Sequence, residues 1–421
     1  MSAPPAARWP ATEATNTFRR MELDRIARLA GGGGGKVLLY VLDGLGGLPR
    51  EPGGPTELEA ARTPNLDELA RAGTCGLHDP VAPGITPGSG PGHLALFGYD
   101  PLVYETGRGV LEALGIEFPL RPGDIAVRAN FCTLDARGRV TDRRAGRISS
   151  EEAAPLAARL DGIDLEGARC SVRHVKEHRF VLVLHPDAPA GDAVEDTDSG
   201  RTGQPPRAPM ALNAASEPTA RLLAAWLEAA AERLADQPQA NMALLRGVSS
   251  RPDWPLFGDV FGMRAAAAAA YPMYRGVARL VGMDAETAPA GAPPLVDALR
   301  ARLAEHDFFF LHFKPPDKAG EDGDFDRKVA AIEEADAIVP DLVDAGPDVI
   351  LVTGDHSTPS TMRSHSWHPV PFLLHGGPTR SDGATTFGET ACRAGAHGRV
   401  RGCDLMRLAA ASAGRLAKFG A

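Results

Sequence analysis

Four long apolar runs divide the chain and predict strands of one sheet. They lie at Lys36–Leu42, Asp307–Phe313, Asp348–Thr353 and Val370–His375. Each run is apolar almost throughout, which is typical of strands buried on both faces of a parallel sheet. Helical stretches such as Phe325–Val343 separate the later runs. This order predicts an α/β fold with a mostly parallel central sheet flanked by helices.

Start and stop signals for a helix follow the first strand. Thr63 suits the N-cap, Pro64 the first helical position and Gly73 the end of the helix. Further along, the alanine run Ala265–Ala270 is favourable helix material, and we expect it to be helical.

The N-terminal region predicts a short amphipathic helix at Phe18–Ala30 and then a run of glycines, Gly31–Gly35. These glycines do not form a phosphate-binding P-loop, because Lys36 is followed by Val37 instead of serine or threonine, and because the run precedes a strand. We therefore assign residues 1–35 to an extension and a flexible glycine linker.

Residues 121–255 differ in composition from the flanking chain and predict a second domain. The stretch is rich in Arg, Asp and Pro and carries short strand-like runs such as Arg179–Leu184. A chain of 421 residues is too long for a single hydrophobic core. We expect a core domain formed by 36–120 and 256–421, with a smaller α+β domain inserted at 121–255.

Composition and charge exclude several classes of partner. Hydrophobic residues make up 43% and charged residues 24%, as in ordinary globular proteins. The formal charge of −9 provides no basic surface for nucleic acid or for an anionic membrane. The chain has no secretory leader pattern and no run near the ~18 apolar residues of a membrane span, and its five cysteines are scattered. We expect a cytoplasmic protein with a small-molecule partner, and the oligomeric state stays open.

Acids and histidines follow the predicted strands. Asp43 follows the first run, Asp317 the second, and Asp355 with His356 the third, while His365 comes shortly after. One such aspartate alone is more often a turn or cap residue. Since ligands collect at the carboxyl ends of parallel strands, the set together predicts a site for two divalent cations suited to phosphoryl transfer.

The segment 84–93 (GITPGSGPGH) offers a nucleophile, Ser89, just before a predicted helix at His93–Phe97. Metal coordination and a helix N-terminus would both favour its alkoxide. On its own, Ser89 could equally be an N-cap in a glycine-proline turn. The segment is not the G-x-S-x-G elbow of α/β hydrolases, since Pro87 and Pro91 occupy the glycine positions.

Longer blocks along the chain carry a specific resemblance. They are LDGLGG at 42–47, TPNLDELARAG at 63–73, TPGSGPGHLALFGYDP at 86–101, YETGRG at 104–109, DRRAGRI at 142–148, TGDHSTP at 353–359 and HSWHPVP at 365–371. In this order they resemble the motifs of archaeal-type cofactor-independent phosphoglycerate mutases, of the alkaline phosphatase superfamily. The resemblance covers nearly the whole chain and implies an alkaline-phosphatase-like core with an inserted capping domain.

The resemblance also implies which residues hold the two metals. It assigns one metal to Asp43, Ser89, Asp355 and His356, and the other to Asp317, the residue four positions later, and His365. That residue is usually histidine in the family but is Glu321 here. As an oxygen ligand it would favour Mn²⁺ or Mg²⁺ over Zn²⁺ or Co²⁺; alternatively it is a solvated acid of the EDGD cluster at 321–324.

A phosphoglycerate carries a phosphate and a carboxylate, which the forked guanidinium group of arginine matches. The candidates for substrate binding are Arg143, Arg144, Arg147, Arg179, Arg246 and Arg275. His93 is a further candidate that lies four residues after Ser89 and either orients the site or packs.

The implied reaction is an isomerisation in glycolysis and gluconeogenesis without a bisphosphoglycerate cofactor. Ser89 takes the phosphoryl group of 3-phosphoglycerate and returns it to the 2-hydroxyl, while the inserted domain excludes water. Two alternatives stay open. One is a metal-dependent phosphatase or another phosphomutase of the superfamily, and the other is a non-catalytic binding protein whose chemistry has decayed, beginning at Glu321.

Overall fold

The computed structural model describes residues 22–31 and 33–420. Within them the chain divides into two compact units. Residues 106–253 form one, called the insert unit below, and residues 22–105 with 254–420 form the other, the core unit. No helix in the described ranges is long and apolar enough to cross a membrane.

The strands, in chain order, are β1 (Val37–Leu42), β2 (Thr74–Asp79), β3 (Ile125–Leu134), β4 (Val140–Asp142), β5 (Ala168–Lys176), β6 (Arg179–Pro186), β7 (Met242–Ser250), β8 (Ala265–Ala268), β9 (Asp284–Glu286), β10 (Phe308–Phe313), β11 (Val349–Thr353), β12 (Val370–Gly376) and β13 (Arg399–Arg401).

The α-helices are α1 (residues 22–29), α2 (Glu57–Ala60), α3 (Pro64–Ala72), α4 (Ser89–Leu96), α5 (Arg108–Gly115), α6 (Ser150–Leu160), α7 (Glu217–Leu234), α8 (Phe257–Phe261), α9 (Pro272–Leu280), α10 (Pro293–Arg302), α11 (Pro315–Asp322), α12 (Phe325–Ala337), α13 (Val339–Asp344), α14 (Glu389–Ala394) and α15 (Leu405–Ser412).

An eight-stranded sheet forms the centre of the core unit, in the order β13-β2-β12-β11-β1-β10-β8-β9. Only β12 runs against its neighbours among these strands. Every residue of β1, β10 and β11 is buried, as their continuous apolar runs predict. The four predicted strands therefore belong to one sheet, and the predicted α/β fold with a mostly parallel central sheet is confirmed.

The alanine run is a strand, so its predicted helix is wrong. Ala265–Ala268 pairs in parallel with β10, with Ala266 opposite Phe309 and Ala267 opposite Phe310. Burial in the sheet beside these large side chains outweighs the intrinsic helix propensity of alanine, which is a weak preference.

Helix boundaries follow the local signals with two exceptions. Thr63 is the N-cap of α3, Pro64 its first residue and Gly73 its C-cap, as predicted. The single helix expected at Phe325–Val343 is divided into α12 and α13, since Pro340 lacks the amide hydrogen that a continuous helix would need. Residues 22–29 are helical, and the first part of the predicted Phe18–Ala30 helix lies outside the described residues.

Helix α4 begins at Ser89, four residues before the predicted start at His93. Gly88 is the N-cap, so Ser89 is the first helical residue and not the cap. Pro91 fits here because the first-turn amides of a helix have no intrahelical partner to lose. Gly92 fits because a Cβ at this position would lie 2.3 Å from the carbonyl oxygen of Asp355.

The insert unit is a five-stranded antiparallel sheet that packs against α6 and α7 on one face. Its order is β4-β3-β6-β5, with β7 pairing with β3. Side chains of α6 and α7 form a hydrophobic core with the alternate residues Val127, Ala129 and Phe131 of β3. Arg128 lies on the other face of the sheet, in register with Arg246 of β7. The expected α+β character of this region is confirmed.

Candidate active site

Three neighbouring strands carry the site at their carboxyl ends. Strand β1 lies between β10 and β11, with Val41 in register with His312 on one side and Thr353 on the other. Asp43 follows β1 directly, and Asp355 follows β11 by two residues. Both carboxylates are completely buried and therefore approach each other at one edge of the sheet.

The first candidate metal group consists of Asp43, Asp355 and His356. The Nε2 atom of His356 lies 3.5 Å from Asp43 Oδ1 and 3.2 Å from Asp355 Oδ2. All three side chains are 0% exposed. Burial lowers the pKa of His356 against the opposing effect of Asp355, so the imidazole is held in the neutral form that a metal ion requires.

The second candidate group consists of Asp317, His356 and His365. The Oδ1 atom of Asp317 is 3.9 Å from His356 Nδ1 and 3.6 Å from His365 Nε2. The imidazole rings of His356 and His365 stack with centroids 3.6 Å apart. His356 thus belongs to both groups, with one ring nitrogen toward each.

Glu321 lies at the rim of the second group. Its Oε1 atom is 3.8 Å from His365 Nε2, and its side chain is 55% exposed. Desolvation and the nearby Asp317 raise its pKa.

Ser89 lies beside the first group. Its Oγ atom is 3.2 Å from His356 Nε2, at the N-terminus of α4. The close approach of Gly92 to the backbone of Asp355 holds this helix end against the loop that carries the metal group.

The buried carboxylates fit a metal ion. Asp43 Oδ1 and Asp355 Oδ2 are both buried, and within the described ranges neither accepts a hydrogen bond. Orphaned buried carboxylate oxygens are costly unless a cation satisfies them. Two carboxylates with a neutral imidazole are also a common donor set for Mn²⁺, Mg²⁺ or Zn²⁺.

Sequence reasoning missed a lysine at the centre of the site. The Nζ atom of Lys314 lies 3.1 Å from Asp43 Oδ2, 2.6 Å from Asp317 Oδ2 and 2.6 Å from the Tyr274 hydroxyl oxygen. Burial alone would lower the pKa of Lys314, but Asp43, Tyr274 and Asp317 together raise it well above its usual value. The spacing Lys314–Asp317 (i, i+3) was the available signal.

Two further partners orient the carboxylates. His312 Nε2 lies 2.8 Å from Asp43 Oδ2, and Thr358 donates to Asp317 Oδ1 at 2.8 Å. Burial opposes ionisation of Asp43, but Lys314 and His312 outweigh it and hold the pKa of this carboxyl well below its usual value. Asp43 is therefore a carboxylate at neutral pH.

His93 is 0% exposed and contacts protein groups. Its Nδ1 atom lies 2.8 Å from the Ser89 carbonyl oxygen and 3.2 Å from Asp355 Oδ2. The ring packs against Tyr274 and Phe310, with centroid distances of 4.9 and 5.4 Å. These contacts suit a residue that positions Asp355, not one that meets a ligand directly.

The predicted arginines of the insert unit occupy different environments. Arg143 forms a bidentate pair with Asp198, at 2.8 and 2.7 Å. Arg246 lies 3.4 Å from Asp196 and 3.7 Å from Asp198. Arg144 and Arg147 are exposed.

An arginine cluster on the polar face of the insert sheet includes two residues that sequence reasoning did not select. Burial, together with the charges of Arg108, Arg179 and Arg246, lowers the pKa of Arg128, while Glu112 opposes the shift from 3.6 Å. Arg108 belongs to the YETGRG block, which was a signal for it. Arg128 lies in mid-strand, where only the register with Arg246 identifies it.

Arg275 belongs to the core unit and is 8% exposed. Its Nη1 atom donates to the carbonyl oxygens of Ala269 and Ala270 at 3.0 and 3.1 Å, next to the carboxyl end of β8.

Known proteins are similar to this chain in sequence and in fold. A family model described as 2,3-bisphosphoglycerate-independent phosphoglycerate mutase matches residues 70–240. A Thermus thermophilus protein named "probable 2,3-bisphosphoglycerate-independent phosphoglycerate mutase" is 50% identical over 391 residues, covering 92% of this chain and 96% of the relative. The chain belongs to this family of phosphoglycerate mutases.

Solved structures agree with the family assignment. A protein from Pyrococcus horikoshii superposes with a TM-score of 0.81 at 33% identity, over 92% of this chain and 100% of that one. The cofactor-independent phosphoglycerate mutase of Thermoplasma acidophilum superposes with a TM-score of 0.69 at 30% identity, over 90% and 100%. The chain is thus an isomerase of the cofactor-independent kind, and the resemblance in its motifs is confirmed.

Proposed function

We propose that this chain interconverts 3-phosphoglycerate and 2-phosphoglycerate through a phosphoserine at Ser89, as a cytoplasmic enzyme of glycolysis and gluconeogenesis. One observation carries the proposal: Ser89 Oγ lies 3.2 Å from His356, the residue common to both candidate metal groups. A serine in this position can be both a metal ligand and a nucleophile.

Two divalent ions would be held by the two groups around His356. Asp43, Ser89, Asp355 and His356 would hold one ion, and Asp317, Glu321 and His365 the other. When bound, such ions activate an oxygen nucleophile and stabilise the charge of a phosphoryl group in transfer. The mixed oxygen and nitrogen donors, with Glu321 at the rim, favour Mn²⁺ or Mg²⁺, and Zn²⁺ or Co²⁺ are the less favoured alternatives.

In the proposed reaction, the Ser89 hydroxyl oxygen attacks phosphorus in line. The new Oγ–P bond forms as the bond from phosphorus to the 3-oxygen of the substrate breaks, and the Ser89 hydroxyl proton ends on the released 3-oxygen, giving phosphoserine and glycerate. The glycerate then turns within the site, and its 2-hydroxyl oxygen attacks phosphorus as the Oγ–P bond breaks and the 2-hydroxyl proton returns to Oγ. The N-terminus of α4 favours negative charge at Ser89 throughout.

Lys314 and the arginine cluster would bind the anionic groups. The Lys314 ammonium, held by Asp43 and Asp317, supplies a fixed positive charge beside two of the proposed metal ligands. In the insert unit, Arg128, Arg179 and Arg246 offer forked donors for the carboxylate of glycerate. We further propose that the insert unit caps the site, because phosphoserine must be kept from water between the two transfers.

The test is product analysis with Mn²⁺-loaded protein, 3-phosphoglycerate and no bisphosphoglycerate. We expect 2-phosphoglycerate without release of phosphate, and intact mass should detect one phosphoryl group on Ser89 after rapid quenching. Ser89→Ala should abolish both signals, while Ser381→Ala, at an exposed serine that donates to Arg71, should keep them. Release of inorganic phosphate alone would establish the phosphatase alternative instead.

Metal analysis addresses the non-catalytic alternative. If the two candidate metal groups around His356 are functional, the protein should bind about two divalent ions per chain. Protein without bound ions and without trapped phosphoserine would exclude the mutase proposal.

A further inference from the structure

A second cationic cavity lies wholly within the insert unit. It has a volume of about 350 Å³ and is lined by Phe118, Pro119, Arg121, Arg169, Cys170, Ser171, Arg173 and His185. None of these residues is part of the candidate active site. The volume is within the range of small-molecule sites, roughly 300 to 1,000 Å³.

Strand alternation brings the polar lining together. Arg169, Ser171 and Arg173 occupy every second position of β5, so their side chains share one face of the sheet. Arg169 is in register with His185 of β6. Arg121 comes from the segment before β3.

The three guanidinium groups carry uncompensated charge. Within the described residues, Arg121, Arg169 and Arg173 form no ion pair, and all three are exposed. This distinguishes them from Arg159 of the same unit, which pairs with Asp236 at 2.8 Å. Three unpaired arginines around one cavity produce a local positive field in a chain whose formal charge is −9.

Asp124, which contacts the cavity residue His185, is already engaged. Asp124 accepts a hydrogen bond from the Arg121 backbone amide through Oδ2, and its Oδ1 atom lies 2.7 Å from His185 Nδ1. The other ring nitrogen of His185 lies 3.2 Å from the Ser171 hydroxyl oxygen. Because Nδ1 donates to Asp124, Nε2 of neutral His185 accepts from the Ser171 hydroxyl, and these hydrogen bonds fix Ser171 in the β5 row that it shares with Arg169 and Arg173.

An aromatic ring provides the apolar wall. Phe118 is buried, the Arg173 guanidinium lies 5.1 Å from its centroid, and the His185 ring stacks on it at 6.4 Å. Stacking limits the freedom of the Arg173 side chain and presents its donors to the cavity.

We propose that this cavity is a binding site for a phosphate dianion, carried by a small phosphate monoester or by inorganic phosphate. Forked guanidinium donors match the terminal phosphate oxygens. The Phe118 wall favours an ester with an apolar group. The site is independent of Ser89 chemistry, so its failure would leave the proposed mutase function untouched.

The test uses the full-length metal-loaded enzyme with two probes, inorganic phosphate and phenyl phosphate. Hydrogen exchange read by mass spectrometry should slow in residues 168–176, the β5 strand, as either probe saturates. Because β5 is an edge strand of its sheet, its amides are sensitive to a ligand there. Protection by both probes identifies phosphate itself as the ligand, and protection by phenyl phosphate alone identifies an ester.

Variants separate this cavity from the active site. Arg169→Ala/Arg173→Ala should weaken binding, measured as the probe concentration for half-maximal protection of 168–176, by about tenfold or more, since two charge-assisted contacts are lost. Arg221→Ala is the matched control, because this exposed arginine of the same unit pairs with Glu217 away from the cavity. Unchanged protection in the double variant, or no protection with either probe in the wild type, would overturn the proposal.

Discussion

Replacing Lys328 by methionine should weaken both the fold and the metal site. Lys328 is 0% exposed, and its ammonium donates to the carbonyl oxygens of Gly46 and Thr358 at 2.9 Å each. These carbonyls belong to the loops after β1 and β11, which carry Asp43 and His356. One buried cation therefore ties together the two loops that supply metal ligands.

The magnitude follows from what the substitution leaves behind. Methionine keeps the side-chain length but removes both hydrogen bonds, and it leaves Glu57 without the charge of Lys328. Each of the two buried carbonyl oxygens that lose their donor costs about 1–3 kcal/mol. A loss of this size is a large part of the ~5–15 kcal/mol that stabilises a typical protein.

Urea unfolding and metal titration measure the two effects separately. Lys36→Met is the matched control: Lys36 donates to the carbonyl oxygens of Leu303 and His306 at 2.7 and 2.8 Å, but it is only part-buried and contacts neither ligand loop. We expect the control to lose about 1–3 kcal/mol and to retain metal affinity. The reasoning is refuted if Lys328→Met loses under about 1 kcal/mol, or if both variants bind metal equally well.

Three further predictions concern protons and metal ions. Burial lowers the pKa of His78 to about 4, so between pH 4 and the ordinary pKa near 6.5 only the unfolded state binds this proton. The free energy of unfolding should therefore rise by about 3 kcal/mol across that window. Unfolding measured at a series of pH values should give a flatter dependence of this free energy on pH for His78→Asn, and equal slopes for the two proteins would contradict the prediction. Glu321→His should raise the ratio of bound zinc to manganese in competition dialysis, because imidazole is the softer ligand; an unchanged ratio would remove Glu321 from the ligand set. Chelation should lower the melting temperature, because Asp43 and Asp355 then repel each other without a cation; a melting temperature insensitive to chelator would argue against bound ions.

The metal groups could be predicted because their signal is local. Asp43 and Asp355 follow apolar runs, and the composition of these runs alone predicts strands that are buried on both faces. Parallel pairing then places such strand ends together. The sequence does not reveal that His356 belongs to both candidate metal groups. This depends on the orientation of the imidazole ring, which the folded loop determines.

Other features depend on contacts that one sequence does not reveal. A lysine is not expected within a predicted metal site. The position of Lys314 is explained by its ion pairs with Asp43 and Asp317, which the sequence does not reveal. Arg128 becomes part of a cluster through strand register with Arg246. The segment around Pro91 has the composition of a turn, and its helix forms because the proline falls in the first turn and Gly92 packs on another backbone.

Because Gly92 packs directly on the backbone of Asp355, the absence of a side chain at position 92 sets the distance between Ser89 and the metal group that contains Asp355. A methyl group there would meet the Asp355 carbonyl at 2.3 Å and would have to push α4 away by about 1 Å, although every reactive side chain would remain. Misplacement by about 1 Å can cost on the order of a hundredfold in rate. Gly92→Ala would therefore keep every reactive side chain but hold Ser89 too far from the candidate metal ligands, and we expect a large loss of activity.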